Sequence, residues 1–272
     1  MASSVSPSMV NHSRVPAGGR PEGTAELLTG AKVPASAVSP GPYCHAMPRS
    51  KHPVDPPDGV RRPRSARGRA RWTNDLLAVE YPDATCELDH SNPYELLAAT
   101  ILSAQCTDAR VNMVTPALFE RYPTPADMAV AEPEELEELI RSTGFFRSKA
   151  RSLLGMANTL VDDFGGEVPG AMKDLVTIPG VGRKTANVVR SVDLGLPGLP
   201  VDTHVLRLSR LLGITEETDP VKVEMELNPM VPAMERGEFS LRMILHGRRV
   251  CIARRPRCAE CTLAWFCPSV DP

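Results

Sequence analysis

Apolar residues recur at helical spacing along most of the chain after Trp72. Neighbouring apolar positions lie three or four residues apart, which is the period of an amphipathic helix, and alternating strand patterns are nearly absent. Glycines mark helix ends at Gly144, Gly165 and Gly213. The pattern predicts an all-α protein with helices at about 72–80, 93–105, 108–121, 125–130, 133–143, 147–163, 171–177, 183–194, 203–212, 220–230 and 238–251.

Residues 1 to about 70 differ from the rest, because they are rich in Pro, Ser, Gly and Ala and have no apolar period. Such a segment cannot bury enough apolar surface to offset the entropy of ordering, so a disordered tail is expected. A transit peptide is an alternative, as is a chain that starts at Met47. The arginine run from Arg61 to Arg71 contains no acid and would add nonspecific affinity for phosphates.

Charge is unevenly distributed along a chain whose net charge is only −2. With 272 residues and 42% hydrophobic residues, the chain suits one or two domains with a sizeable core. No apolar run reaches the roughly 18 residues of a membrane span, and no secretory signal is present, so a cytoplasmic location is expected. A polarised surface is typical of a protein that faces DNA. The opposed sets are Glu132, Glu134, Glu135, Glu137 and Glu138 against Arg242, Arg248, Arg249, Arg254, Arg255 and Arg257.

The segment Leu175–Ala186 predicts two helices joined by a tight glycine hairpin. Gly180 and Gly182 lack Cβ atoms, so they can take positive φ and let the backbone approach a ligand closely. The amide N–H groups that open the next helix, with Arg183 among them, would then bind a phosphate. Lys184 follows in the first turn of that helix. The sequence therefore places a candidate amine nucleophile beside a candidate phosphate site.

Four of the seven cysteines lie close together near the C-terminus. Cys251, Cys258, Cys261 and Cys267 have the spacing Cys-x6-Cys-x2-Cys-x5-Cys, which brings four thiolates within reach of one centre. An odd total argues against a disulfide scheme and for reduced thiols. The spacing alone permits either tetrahedral zinc or a [4Fe–4S] cluster.

The glycine hairpin with Lys184, the following Val201-Asp202-Thr203-His204 and the cysteine spacing together resemble the endonuclease III family of helix-hairpin-helix DNA glycosylases, from roughly Trp72 to Pro268. The resemblance implies a [4Fe–4S] cluster on the four cysteines. It also implies that the tail at 1–70, whose disorder is expected from composition, is followed by a six-helix barrel lobe at 86–196 and a second helical lobe from 71–85 plus 197–272. The active site would lie in the cleft between these lobes.

The resemblance also implies roles for particular residues. Lys184 would be the Schiff-base nucleophile and Asp202 its catalytic partner, while Gln105 would fill the gap left by a flipped nucleotide. Phe145 stands where the family commonly has a leucine wedge, which is a departure that affects intercalation. Arg254, Arg255 and Arg257 would face DNA phosphates from the loop closed by Cys251 and Cys258.

Each of these residues also has an ordinary interpretation. Lys184 would simply be solvated, and Asp202 would cap the helix that begins at Thr203. Gln105 would be a polar helix end, and Phe145 would be a core aromatic. His204 and His246 are expected to be packed side chains without a catalytic role.

The function that the resemblance implies is excision of oxidised pyrimidines from double-stranded DNA, followed by strand cleavage, by an enzyme that works as a monomer. The target nucleotide must leave the base stack first. Two alternatives stay open at this point. One is a monofunctional adenine-excising glycosylase of the same fold, which usually lacks the lysine. The other is a noncatalytic DNA-binding module with structural zinc, which would form no covalent imine.

Overall fold

The computed structural model describes residues 55–270, and within this range it contains eleven α-helices and no strand. Short 3₁₀ turns lie at Arg141–Thr143, Ala233–Glu235 and Cys258–Glu260. The fold is therefore all-α, as predicted. The helices are α1 (Ala66–Glu80), α2 (Pro93–Leu102), α3 (Asp108–Arg121), α4 (Pro125–Ala129), α5 (Pro133–Ile140), α6 (Phe146–Phe164), α7 (Met172–Leu175), α8 (Arg183–Val192), α9 (Thr203–Leu211), α10 (Pro220–Leu227) and α11 (Arg236–Arg249).

Each predicted helix has an observed counterpart, and the differences lie at the ends. Helix α2 ends at Leu102 instead of 105, since Gln105 adopts a left-handed conformation with φ 53° that cannot continue a helix. Helix α5 ends at Ile140 and tightens into the 3₁₀ turn, which stops at Gly144.

Helix α1 begins at Ala66, so the prediction of disorder is wrong for residues 66–70. Ser65 caps this helix by accepting a hydrogen bond from the Gly68 N–H at 3.1 Å. Arg67 donates to the Pro229 carbonyl at 2.8 Å, and Arg69 donates to the Gly213 carbonyl at 2.9 Å. These arginines are held by carbonyls of the C-terminal half of the chain. The predictions for residues 1–54 lie outside the described residues.

The helices bury two hydrophobic cores. The first core runs from Leu88 to Val189 and gathers the apolar faces of α2 to α8. The second combines α1 with α9 to α11 and the C-terminal segment around Trp265. The two cores meet where α8 packs against α11. Contact there is close, since a Cβ added to Gly237 would lie 2.6 Å from the Ser191 Cβ.

Helix α6 supports the glycine hairpin. A Cβ added to Gly155 would lie 2.8 Å from the Pro179 side chain, and one added to Gly180 would lie 2.8 Å from the Ser152 Cβ. Only glycine allows the hairpin to approach the helix this closely. The hairpin is therefore fixed to the first core.

No helix in residues 55–270 is both long enough and apolar enough to cross a membrane.

Candidate active site

The two hairpin glycines have different conformations. Gly180 has φ 81°, which is the left-handed region that favours glycine. Gly182 has φ −87°, so it does not use the positive φ that is open to glycine. Gly182 is the N-cap of α8, and a Cβ built on it would meet no atom within 4 Å. No contact inside the described protein requires glycine at position 182.

The first N–H groups of α8 follow Gly182 and have no partner within the helix, as at any helix start. No side chain caps this helix. The open space above Gly182 and the helix dipole make the hairpin suitable for an anion.

Arg183 is bound inside the protein. Its Nε and one terminal nitrogen donate to both oxygens of the Glu224 carboxylate, at 2.6 and 2.8 Å. The Glu224 side chain is only 6% exposed, so the pair ties α8 to α10. This guanidinium therefore already has a partner within the protein. Contact between Arg183 and DNA stays a prediction.

Lys184 and Asp202 line one cavity of about 260 Å³ between the two cores. Lys184 projects from the first turn of α8 and is exposed, while Asp202 is half-buried at the start of α9. The cavity brings these two residues together, as the sequence suggests. Apolar walls come from both cores, and they include Leu88, Val188, Val192, Leu241, Ile244 and Leu245.

Asp202 also caps α9, because its Oδ1 accepts a hydrogen bond from the Val205 N–H at 2.8 Å. The capping interpretation is confirmed, and it is compatible with a chemical role. The cap bond fixes one carboxylate oxygen and hence the orientation of the group in the cavity.

Three charged residues that belong to no recognisable motif, Glu87, Asp108 and Arg248, also line this cavity. Arg248 of α11 binds Glu87 at 2.6 Å and approaches Asp108 at 3.7 Å, which links the second core to the first. Burial raises the pKa of Asp108, and Arg248 acts in the opposite direction. No local motif could reveal this group, since Arg248 is far in sequence from both acids.

Gln105 and Phe145 share an unusual backbone conformation. They are the only non-glycine residues with positive φ in the described part of the chain, at 53° and 50°. Both are exposed, and the Phe145 side chain is 68% exposed, so it is not a core aromatic. A left-handed conformation costs a residue with a Cβ about 1–3 kcal/mol and often marks a functional position.

The four C-terminal cysteines line a second cavity, of about 170 Å³. None forms a disulfide, and burial raises the pKa of Cys261 to about 12 and that of Cys267 to about 11. Within residues 55–270, no group of three His, Cys, Asp or Glu residues has the arrangement that holds one metal ion.

Two polar side chains support this cysteine cavity. Arg207 donates to the Cys251 carbonyl at 2.5 Å and lies 3.6 Å from its Sγ. His246, which is fully buried, has its Nε2 at 3.4 Å from the Cys261 Sγ. The arginines of the adjoining loop, Arg254, Arg255 and Arg257, are exposed.

Comparison with known proteins identifies the family. The model of the HhH-GPD superfamily of base excision DNA repair proteins matches residues 98–233. The chain is 52% identical over 213 residues to endonuclease III of Synechocystis, covering 78% of this chain and 97% of that protein. It is 48% identical over 194 residues to endonuclease III of Bacillus subtilis, covering 71% and 89% of the two chains.

A solved structure gives the same result. The trapped covalent intermediate of an endonuclease III with DNA, in an estranged-adenine complex, superposes with a TM-score of 0.71 at 46% identity and covers 75% of this chain and 96% of that one. The helical fold of this chain thus agrees with its sequence relatives and with a solved structure. The chain belongs to the endonuclease III family within the HhH-GPD superfamily of base excision DNA repair proteins.

Proposed function

We propose that this protein is a bifunctional DNA glycosylase and abasic-site lyase that removes oxidised pyrimidines from double-stranded DNA. The observation that carries the proposal is the cavity shared by Lys184 and Asp202, at the start of the helix that follows the glycine hairpin. The amine and the carboxylate face one space between the two cores. The covalent DNA intermediate of the endonuclease III relative is consistent with such chemistry.

The Lys184 amine attacks C1′ of the damaged nucleotide, and the base leaves with the electron pair of the glycosidic bond. Positive charge develops on the sugar in this step, and the Asp202 carboxylate stabilises it. The sugar opens to an imine on Lys184. Loss of a C2′ proton then breaks the C3′–O bond by β-elimination, and hydrolysis of the imine frees the lysine.

Base flipping must come before this attack, because C1′ is out of reach inside a stacked duplex. Gln105 and Phe145 are both exposed on left-handed backbone, which suits side chains that enter the duplex. Gln105 would fill the vacated space with its amide, and Phe145 would wedge between base steps. A phenyl ring in place of a leucine side chain offers a larger flat surface for stacking.

Phosphate contacts would come from the hairpin and from the exposed arginines at 254, 255 and 257. The Gly182 hairpin accepts a phosphate between the first N–H groups of α8. The arginines add charge at a second point along the DNA backbone.

The boundaries of the two lobes, at 86–196 and at 71–85 plus 197–272, are part of this proposal.

Substituting Gly182 with alanine should weaken DNA binding without loss of stability. A Cβ at this position meets no protein atom within 4 Å, so the melting temperature should not change. The same Cβ would occupy the space of the phosphate, and we expect roughly 10-fold weaker binding to duplex DNA, measured by fluorescence anisotropy. The contrasting variant is Gly180→Ala, which also lowers stability because of its φ of 81° and its contact with Ser152. Unchanged affinity in Gly182→Ala would argue against a phosphate at the hairpin.

The cysteine cavity fits a [4Fe–4S] cluster better than zinc. Four thiols line one space, and only Cys258 and Cys261 form a Cys-x2-Cys unit, whereas zinc sites more often pair two such units. Cys251, Cys258, Cys261 and Cys267 would hold the cluster as thiolates, and Arg207 and His246 would support them. When bound, the cluster cross-links the C-terminal segment and fixes the arginine loop.

Replacing Cys258 with serine should remove most of the bound iron. Purified wild-type protein should carry iron and sulfide with visible absorbance, and the variant should lose both together with DNA affinity, because the arginine loop is no longer fixed. The matched control for iron content is Cys86→Ser, since Cys86 lines the Lys184 cavity and not the cysteine cavity. One zinc ion per wild-type chain without iron would contradict the cluster assignment.

Product analysis on a duplex with a single thymine glycol separates the candidate functions. A bifunctional enzyme releases the base and cuts the strand 3′ to the lesion without alkali. A monofunctional glycosylase leaves an intact abasic strand, and a DNA-binding module leaves the duplex unchanged. We expect the first result.

The monomeric state and the cytoplasmic location, beside the chromosome if the chain is bacterial, stay predictions.

A further inference from the structure

Lys149 is a buried lysine in the first turn of α6, next to the loop that carries Phe145. It is only 5% exposed and shares a helix face with Leu153, Met156 and Leu160, which pack into the first core. Lysine is almost never buried this completely unless its charge has a partner. An amine on this face therefore does more than fill the core.

Lys149 holds the Phe145 loop from two sides. Its Nζ donates a hydrogen bond to the Thr143 carbonyl at 2.9 Å, and its backbone N–H donates to the Phe145 carbonyl at 3.1 Å. Between these two bonds, Gly144 and Phe145 both have positive φ, at 71° and 50°. Such a conformation persists in a residue with a Cβ only where its surroundings enforce it. The backbone bond is the first bond of α6, which any residue at this position would make, so the contribution of the lysine itself is the bond of its Nζ to the Thr143 carbonyl.

The same lysine is close enough to the loop of Gln105 to interact electrostatically with Cys106, the residue after Gln105. The 3₁₀ turn Arg141–Thr143, which ends at the Lys149 bond, packs against α3, and the cap of α3 is Thr107, two residues after Gln105. Burial lowers the pKa of Lys149, and the nearby thiol of Cys106 acts in the opposite direction. One buried amine thus hydrogen-bonds to the turn before Phe145 and interacts with the residue after Gln105.

We propose that Lys149 is a positioning residue for base flipping, whose buried ammonium fixes the Phe145 loop relative to Gln105. The inference rests on the proposed function, in which both exposed side chains enter the duplex. Lys149 itself touches neither DNA nor the reacting sugar. Its loss slows the steps that require insertion into a duplex and leaves the chemistry at an already accessible sugar unchanged.

The test compares two substrates of Lys149→Met, which keeps the length of the side chain and removes the donor. One is a duplex with a single thymine glycol, and the other is a single strand with an abasic site, which has no stack to open. The matched control is Tyr94→Phe. Tyr94 is also 5% exposed in the first core and donates to a backbone carbonyl, that of Tyr122 at the far end of α3.

We expect the ratio of duplex to single-strand cleavage to fall by roughly 10-fold or more in Lys149→Met and to stay unchanged in Tyr94→Phe. Adding Lys149→Met to Phe145→Ala should cause little further loss, because both changes act through one loop. If Lys149→Met does not fold, Lys149→Leu, which also lacks a donor, takes its place and the same ratio decides. An unchanged ratio in a folded variant would overturn this inference alone. Wild-type protein that cleaves neither substrate would overturn the proposed function as well.

Discussion

Lys184→Ala is expected to lower strand cleavage at abasic sites by roughly 1,000-fold or more, because the amine that forms the imine is gone. The Lys184 side chain is exposed, so its removal leaves no buried void and the melting temperature should not change. The measurement is the single-turnover cleavage rate on an abasic duplex. DNA affinity should fall much less than the rate, since the hairpin is intact.

The matched control for this variant is Lys173→Ala. Lys173 is an exposed lysine on α7, just before the hairpin, and it does not line the Lys184 cavity. Its loss removes the same charge from the same region of the surface. Equal losses of rate in the two variants would indicate a general effect of charge on DNA binding and would contradict a nucleophilic role for Lys184.

Asp202→Asn is expected to lower the rate of base excision by roughly 100- to 1,000-fold, which is typical for the loss of one electrostatic group at a developing charge. Asparagine is as good an N-cap as aspartate, so α9 keeps its capping bond to the Val205 N–H. The variant therefore separates the structural role of Asp202 from its chemical role. Its melting temperature should match that of the wild type.

Asp219→Asn is the matched control for this second prediction. Asp219 caps α10 by accepting hydrogen bonds from the Val221 and Lys222 N–H groups, each at 3.0 Å, and it lies outside the cavity. We expect wild-type excision rates from this variant. An Asp202→Asn enzyme with wild-type rates would show that the carboxylate acts only as a cap.

The helices could be predicted from sequence because their signals are local. Apolar residues at spacings of three and four, with glycines at the ends, identify an amphipathic helix without knowledge of its partner. The start of α1 could be predicted only in part, because the Ser65 cap is a local signal but the bonds that hold the first turn are not local. Arg67 and Arg69 bind carbonyls of residues that follow more than 140 positions later, and no pattern near residue 66 contains that information.

The residues of the candidate site also differ in whether a local sequence signal indicates them. Lys184 and Asp202 belong to short segments with recognisable order, so the sequence could indicate both. Arg248 and its partners come from opposite cores and meet only in the folded chain. The role of Gly182 could not be predicted either. The sequence does not reveal whether a glycine is needed for its positive φ or for the open space beside it.

Lys149 lies between these cases. It occupies the apolar stripe of α6, four residues before Leu153, and a lysine on such a stripe is a signal that the sequence contains. The hydrogen-bond partner of Lys149 could not be predicted. The Thr143 carbonyl accepts this bond across a turn in which Gly144 and Phe145 have positive φ, and the sequence does not show that conformation.

The central claim is that the Lys184 amine forms an imine with the sugar of damaged DNA, and reductive trapping followed by peptide mapping tests it most directly. Wild-type protein is incubated with a duplex that contains an abasic site, the imine is reduced with borohydride, and the cross-linked peptide is sequenced by mass spectrometry. We predict one adduct, attached to Lys184 and absent from Lys184→Ala. An adduct on another residue, or no adduct from folded protein that binds the duplex, would contradict the account.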